Sequence, residues 1–250
     1  MPLSDVIHLP QPQRPWAELQ ACSNFTFLTG GSHPEEYMDR AALLGLSGVA
    51  IADVNSVAGI VRAHTRSREI ARLVAERQTF DRDVGLIGPS APLECKPSPS
   101  AQIYNMPSLL PAAKIVLRDG FTATLLPVNR SGWGRLCRLI SRGRLRAKKG
   151  ACDIGLEDLL EFGDDQLMVL HAPPTEQVQV DATSWLSRAR SLTRRFPQNV
   201  MLLLAPAYDG QDARRFEDIA ALGYALSVPL VASAAPVMHH GSRRRLIDAL

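Results

Sequence analysis

Asp53 closes the apolar run Gly48, Val49, Ala50, Ile51 and Ala52, so the chain delivers a carboxylate to the end of a buried strand, where it could grip a divalent cation. Cys22 offers a second donor, and His33 and His64 are imidazoles within reach in sequence. A metal-activated hydroxide, the nucleophile of a phosphoesterase or exonuclease, needs several such ligands around one open position. Asp53 alone would hold the ion poorly. Simpler roles suit the same residues better: a strand-end turn or cap for Asp53, a small buried hydrophobe for Cys22. His239 and His240 are adjacent, would point apart in a strand, and read as surface residues.

The second group with chemistry is cationic. Arg135, Arg138, Arg142, Arg144, Arg146, Lys148 and Lys149 follow one another with no acidic residue between them. Such a block could neutralise phosphates of a nucleic acid, with a salt dependence that steepens at each contact. It would serve equally as a solvated helix face or as a docking surface. Arg243, Arg244 and Arg245 form a smaller block.

Composition narrows the classes. With 46% hydrophobic and 21% charged residues in 250, the chain can bury one large core or two small ones. A formal charge of +3 is too small to argue nucleic-acid binding by itself, so any such role rests on the local cluster. Cys22, Cys95, Cys137 and Cys152 form no CxxC or CxxH pair, which disfavours a zinc site or a disulfide framework and suits reduced, cytosolic thiols. The amino terminus lacks the pattern of a signal peptide, and no stretch reaches the apolar length of a membrane span. The expectation is a cytoplasmic protein with no membrane partner.

The elements that must position these residues follow from pattern. Residues 1–15, rich in proline, read as an extended arm, with the ordered domain spanning 16–250. A strand is expected over 17–23, then a helix capped by Ser32, with Glu35 and Glu36 at its positive end and a stop at Gly45. A buried strand at 48–53 and a helix at 56–77 complete a βαβ unit. Residues 78–113, with six prolines, read as a long loop or insertion. A hairpin over 114–118 and 121–128 follows, turning at Asp119 and Gly120, and then a helix over 132–145. Strands at 166–171, 199–205 and 229–232 alternate with helices near 181–196 and 212–226, the rhythm of a TIM-like barrel or an open doubly wound sheet.

Three segments, in order, resemble the PHP domain of bacterial DnaE-type DNA polymerases, and in particular the error-prone, ImuC-like branch. The first runs from Ala17 through Cys22 to Leu28 and on to Gly30, Gly31, Ser32, His33, Pro34, Glu35 and Glu36. The second is the strand ending at Asp53 followed by Asn55, Ser56, Val57, Ala58, Gly59, Ile60, Val61, Arg62, Ala63 and His64, similar to a stretch specific to the error-prone branch. The third joins Asn129 to Ile140 with Lys148, Lys149 and Gly150 and with Leu156 to Leu160.

The resemblance implies a distorted α/β, TIM-like (β/α) barrel of the PHP type, and it marks where ligands of a metal-active domain would stand. A His-x-His pair ends the family's first strand, where this chain has Gln20 and Cys22. The second motif supplies Asp-His, where Asp53 remains but Val54 replaces the imidazole. Near the end, Ala234, Ala235, Pro236 and Val237 stand where an asparagine and an aspartate are usual. The implied function is therefore that of a non-catalytic structural module, folding without metal, from a translesion polymerase whose palm lies elsewhere. No cofactor is expected, a divalent metal being the alternative; the expected partners are a polymerase body in cis or in trans, and primer-template DNA.

Overall fold

The computed structural model describes residues 15–83, 106–173 and 178–250. The expected arm at 1–15 falls almost wholly outside them, as does Cys95. In chain order the elements are β1 (Ala17–Ala21), α1 (Pro34–Leu43), β2 (Gly48–Ile51), α2 (Ala58–Asp83), β3 (Ser108–Pro111), β4 (Ala113–Val116), β5 (Thr122–Pro127), α3 (Arg130–Arg146), α4 (Leu156–Phe162), β6 (Gln166–Leu170), α5 (Val178–Arg195), β7 (Val200–Leu204), α6 (Asp212–Leu226), β8 (Leu230–Ala232) and a short α7 (Arg244–Ile247).

The strands order as β1-β2-β3, all parallel, and as β4-β5-β6-β7-β8, in which only β5 runs against its neighbours. Ala112 alone separates β3 from β4, so one stretch of chain leaves the first sheet and enters the second. Asn55 stitches this junction. Its backbone takes a left-handed φ of 47°, its Oδ1 accepts from Val116 N–H at 3.0 Å, and its Nδ2 donates to the Val116 carbonyl at 3.3 Å. The side chain thus stands in for a missing strand neighbour. On the far side Glu18 of β1 accepts from the Ser233 hydroxyl and, at 2.9 Å, from Ala234 N–H just past β8, while Cys22 N–H donates to the Pro236 carbonyl at 2.9 Å. The result is a closed, distorted barrel.

Alternation along the strands sorts the core into three regions. Val49 and Ile51 pack outward under α1 and α2 with Met38, Ala41 and Ile60. Met168, Leu170 and Leu202 pack outward under α3 to α6 with Leu136, Leu139, Leu192 and Ile219. The inward residues, Ala50, Ala52, Ala112, Leu126, Val169 and Leu203, are mostly small and fill the interior.

The region expected as loop over 78–113 is narrower than that. Its first residues extend α2 to Asp83, and its last form β3 and the start of β4, leaving 84–105 outside the described residues. Pro107 and Pro111 obscured the strand. Both sit at its margins, and a proline beside the sheet switch removes no essential ladder bond. The first helix is capped by His33 rather than Ser32: His33 N–H donates to the Glu36 carboxylate at 2.8 Å. α4, for which the sequence suggests no element, covers the second sheet beside α3.

Candidate functional site

The carboxyl ends of β1, β2, β6 and β8 gather at one mouth, the end at which barrels of this class carry chemistry. Gln20 and Cys22 come from β1 and its exit, Asp53 follows β2, His171 follows β6, and Ser233 follows β8. The positions singled out by sequence are therefore brought together, as barrel geometry requires.

Their hydrogen bonding is already complete in most directions. Asp53, 1% exposed, accepts from Ser23 N–H at 2.8 Å and Thr26 Oγ1 at 2.9 Å on one oxygen, and from Ser23 Oγ at 2.7 Å on the other. Burial pushes its carboxyl above the usual range in spite of those three donors. Thr26 Oγ1 also accepts from Val54 N–H at 3.0 Å, so the carboxylate organises the turn that carries Val54.

Gln20 is turned inward, where Thr124 donates to its Oε1 at 2.8 Å. The same hydroxyl lies 3.0 Å from His171 Nε2. With the threonine proton directed at Gln20, His171 must carry its hydrogen on Nε2 and donate. Burial, with the positive charge of Lys114 second, pulls His171 down to about 3, so the ring is neutral at pH 7. Gln20 Nε2 has no partner among the described residues. Burial likewise raises the Cys22 thiol, the opposite of what a reactive or metal-binding thiolate requires.

Two features escaped the sequence reading. Glu18 and Thr124 are polar residues facing into the barrel from short apolar strands, and only the register shows what they meet. His239 is not a loose surface residue on a strand: its backbone N–H donates to Ser32 Oγ at 2.9 Å and its Nδ1 lies 2.8 Å from the same oxygen, tying the segment after β8 to the entrance of α1. The neighbouring His240 turns away and caps the next turn through Ser242 N–H at 3.1 Å. His33, the cap residue before α1, and His64, on α2, are both exposed.

These residues do not fit a divalent cation. No group of three or more His, Cys, Asp or Glu side chains suited to a metal exists among the described residues. Asp53 is engaged by three donors, and Gln20 presents its oxygen to Thr124.

The basic cluster lies elsewhere, along α3 and the loop beyond it. Arg146 makes a two-pronged contact with Asp158 of α4 at 2.7 and 2.9 Å, and Arg142 pairs with Glu161. Arg135 lies 3.5 Å from Asp165 and 3.7 Å from Asp164, and Arg144 donates to the Asn55 carbonyl at 3.0 Å. Arg138, Lys148 and Lys149 are exposed and form no ion pair among the described residues. The acidic residues absent between the cations in sequence are supplied by α4 and by the turn before β6.

Comparison with known proteins decides the kinship. No family model matches the chain. It is 39% identical over 238 residues to the error-prone DNA polymerase of Ruegeria pomeroyi, and 35% identical over 235 residues to that of Aromatoleum aromaticum. Each alignment takes in 94% of this chain. The chain is a homologue of one segment of the error-prone DNA polymerases. It spans 21% and 19% of the length of those two relatives, about a fifth. The fold of this chain is matched by a Bifidobacterium adolescentis protein provisionally described as a metal-dependent phosphoesterase. The TM-score is 0.51 at 12% identity, over 95% of this chain and 97% of the other. That likeness concerns the fold alone. Among the described residues no helix is long and apolar enough to cross a membrane.

Proposed function

We propose that this chain serves as the N-terminal PHP module of an error-prone, translesion DNA polymerase, a structural part in DNA repair synthesis that carries no metal and no catalytic centre of its own. Its partner is a polymerase body in cis or in trans, and its setting is the cytoplasm. What carries the reading is Asp53, whose two oxygens accept three hydrogen bonds at the position where the PHP pattern would place a metal-binding carboxylate. Gln20 supports it, since an amide bound to Thr124 stands where an imidazole ligand would be needed. A buried polar network of this kind fixes the barrel's register and closure, as scaffolding requires.

The test is hydrolysis of bis-p-nitrophenyl phosphate by the purified chain with added manganese or zinc. No turnover above a metal-only control is expected. Metal-dependent turnover that disappears on Asp53→Ala would establish the phosphoesterase reading in its place.

A further inference from the structure

The chain after β8 is strapped across the entrance of α1 by a row of polar contacts. Pro236 offers its carbonyl to Cys22 N–H at 2.9 Å and to the Tyr37 hydroxyl at 3.1 Å, and Val237 offers its own to Gly31 N–H at 2.8 Å. Gly31 is also the point of closest approach: a Cβ there would stand 2.5 Å from Ile247 Cδ1 of α7. Arg243 pairs with Glu36 of α1. At the centre lies Ser32, 1% exposed, whose Oγ accepts from His239 N–H at 2.9 Å and lies 2.8 Å from His239 Nδ1. That nitrogen is the only side-chain or backbone acceptor among the described residues for the serine proton, so the ring must be bare at Nδ1 for the contact to close.

We propose that His239 is the acid-sensitive pin of this strap: a proton on Nδ1 unfastens residues 237–250 from α1. This goes beyond the scaffold role and holds whether or not the barrel mouth binds metal. A protonated Nδ1 would donate to Ser32 Oγ, leaving the serine hydroxyl in a buried site without an acceptor. Glu36 Oε2, 3.6 Å from Nδ1, favours the charged ring, but its carboxylate is already engaged by Arg243 and by His33 N–H. Burial, and after it Arg243, His240 and Arg40 of α1, oppose a positive charge there and outweigh Glu36, so the ring titrates below its ordinary value. The neutral strap is therefore the fastened one, complete above about pH 6.5 and loosened as pH falls. His240 turns its own Nδ1 to Ser242 N–H, a bond inside the strap that does not fasten it to α1.

The experiment is amide hydrogen exchange of the intact chain at about pH 7.5 and about pH 5.5, on either side of the ordinary histidine value, with rates corrected for the intrinsic effect of pH. In the parent, protection over 237–250, and at Cys22 and Gly31, should fall about threefold or more on acidification. His239→Asn places an amide oxygen near Nδ1, keeps an acceptor for Ser32 and cannot titrate, so its strap should stay protected at both values. Ser32→Ala should loosen the strap already at the higher pH, and His240→Asn should respond to acid as the parent does. The imidazole resonances of the parent give a second reading free of any substitution: the midpoint of strap opening should coincide with the titration of His239. Equal protection of the parent at both values, a fall that persists in His239→Asn, a response that disappears in His240→Asn, or a midpoint that follows His240 would each overturn the proposal.

Discussion

Thr124 of β5 donates its hydroxyl to Oε1 of Gln20 on β1 at 2.8 Å, joining strands 104 residues apart through the barrel interior. The bond converts a position that the PHP pattern gives to a metal-binding histidine into part of the interior scaffold, and it sets the direction of the next bond, from His171 to Thr124.

Gln20→Leu should leave the Thr124 hydroxyl without its acceptor in a buried site, lowering stability by about 1–3 kcal/mol. Urea denaturation reads this directly. A midpoint equal to that of the parent chain would mean that the interior bond contributes nothing.

Closure of the barrel depends on Glu18, which takes the Ser233 hydroxyl, Ala234 N–H and Gln20 N–H. Replacing it by glutamine keeps the shape and removes the charge that strengthens these bonds, a loss of about 1.5–3 kcal/mol. Amide hydrogen exchange should speed up first along β8 and the chain after it. Faster exchange confined to α3 and α4 would contradict this role.

His171 makes stability depend on pH with a definite sign. Its folded-state value is pulled down to about 3, whereas the unfolded chain takes up the proton near the ordinary histidine value. The contribution is therefore complete above about pH 6.5 and declines as pH falls toward about 3, with a slope of at most about 1.4 kcal/mol per pH unit. His171→Gln should flatten the decline between about pH 6.5 and 4.5, above the range of ordinary carboxylates. An unchanged slope would show that another group titrates there.

Asp158 joins α3 to α4 from beneath. Burial favours its neutral form, but Arg146 and Gly155 N–H, aided by Arg142, hold the carboxyl below its ordinary value. Stability from this group is present above about pH 4 and is lost as pH falls through the lower folded-state value. Asp158→Ala should lower the melting temperature at pH 7, by a loss of about 1–3 kcal/mol, and the difference from the parent should shrink in acid. A gap that stays constant into acid would argue against the ion pairs.

Much of the scaffold was legible because strand and helix periods leave strong traces. The runs that became β2, β6 and β7 announce themselves by apolar residues alone, and Asp119-Gly120 marks the hairpin, with Gly120 at φ 84°. β3 was hidden because prolines bracket it, and α4 because it is only seven residues long. At the mouth, the resemblance to the PHP pattern implies imidazoles at the positions that Gln20, Cys22 and Val54 occupy. What Gln20 meets there is not legible in the sequence, since Thr124 and His171 reach it only through barrel closure. The partners of the arginine run were illegible for the same reason: its carboxylates arrive from Asp158, Glu161, Asp164 and Asp165, distant in sequence from most of the cations they meet.

We infer that hydrogen bonds among Asp53, Ser23, Thr26, Gln20 and Thr124 do the structural work that a metal cluster would otherwise do at this mouth. Thermal melting of the purified chain after exhaustive chelation, and again with excess manganese or zinc, tests it most directly. The same transition should appear at the same temperature in every sample; a transition lost in chelator and restored in stoichiometric metal would contradict the account.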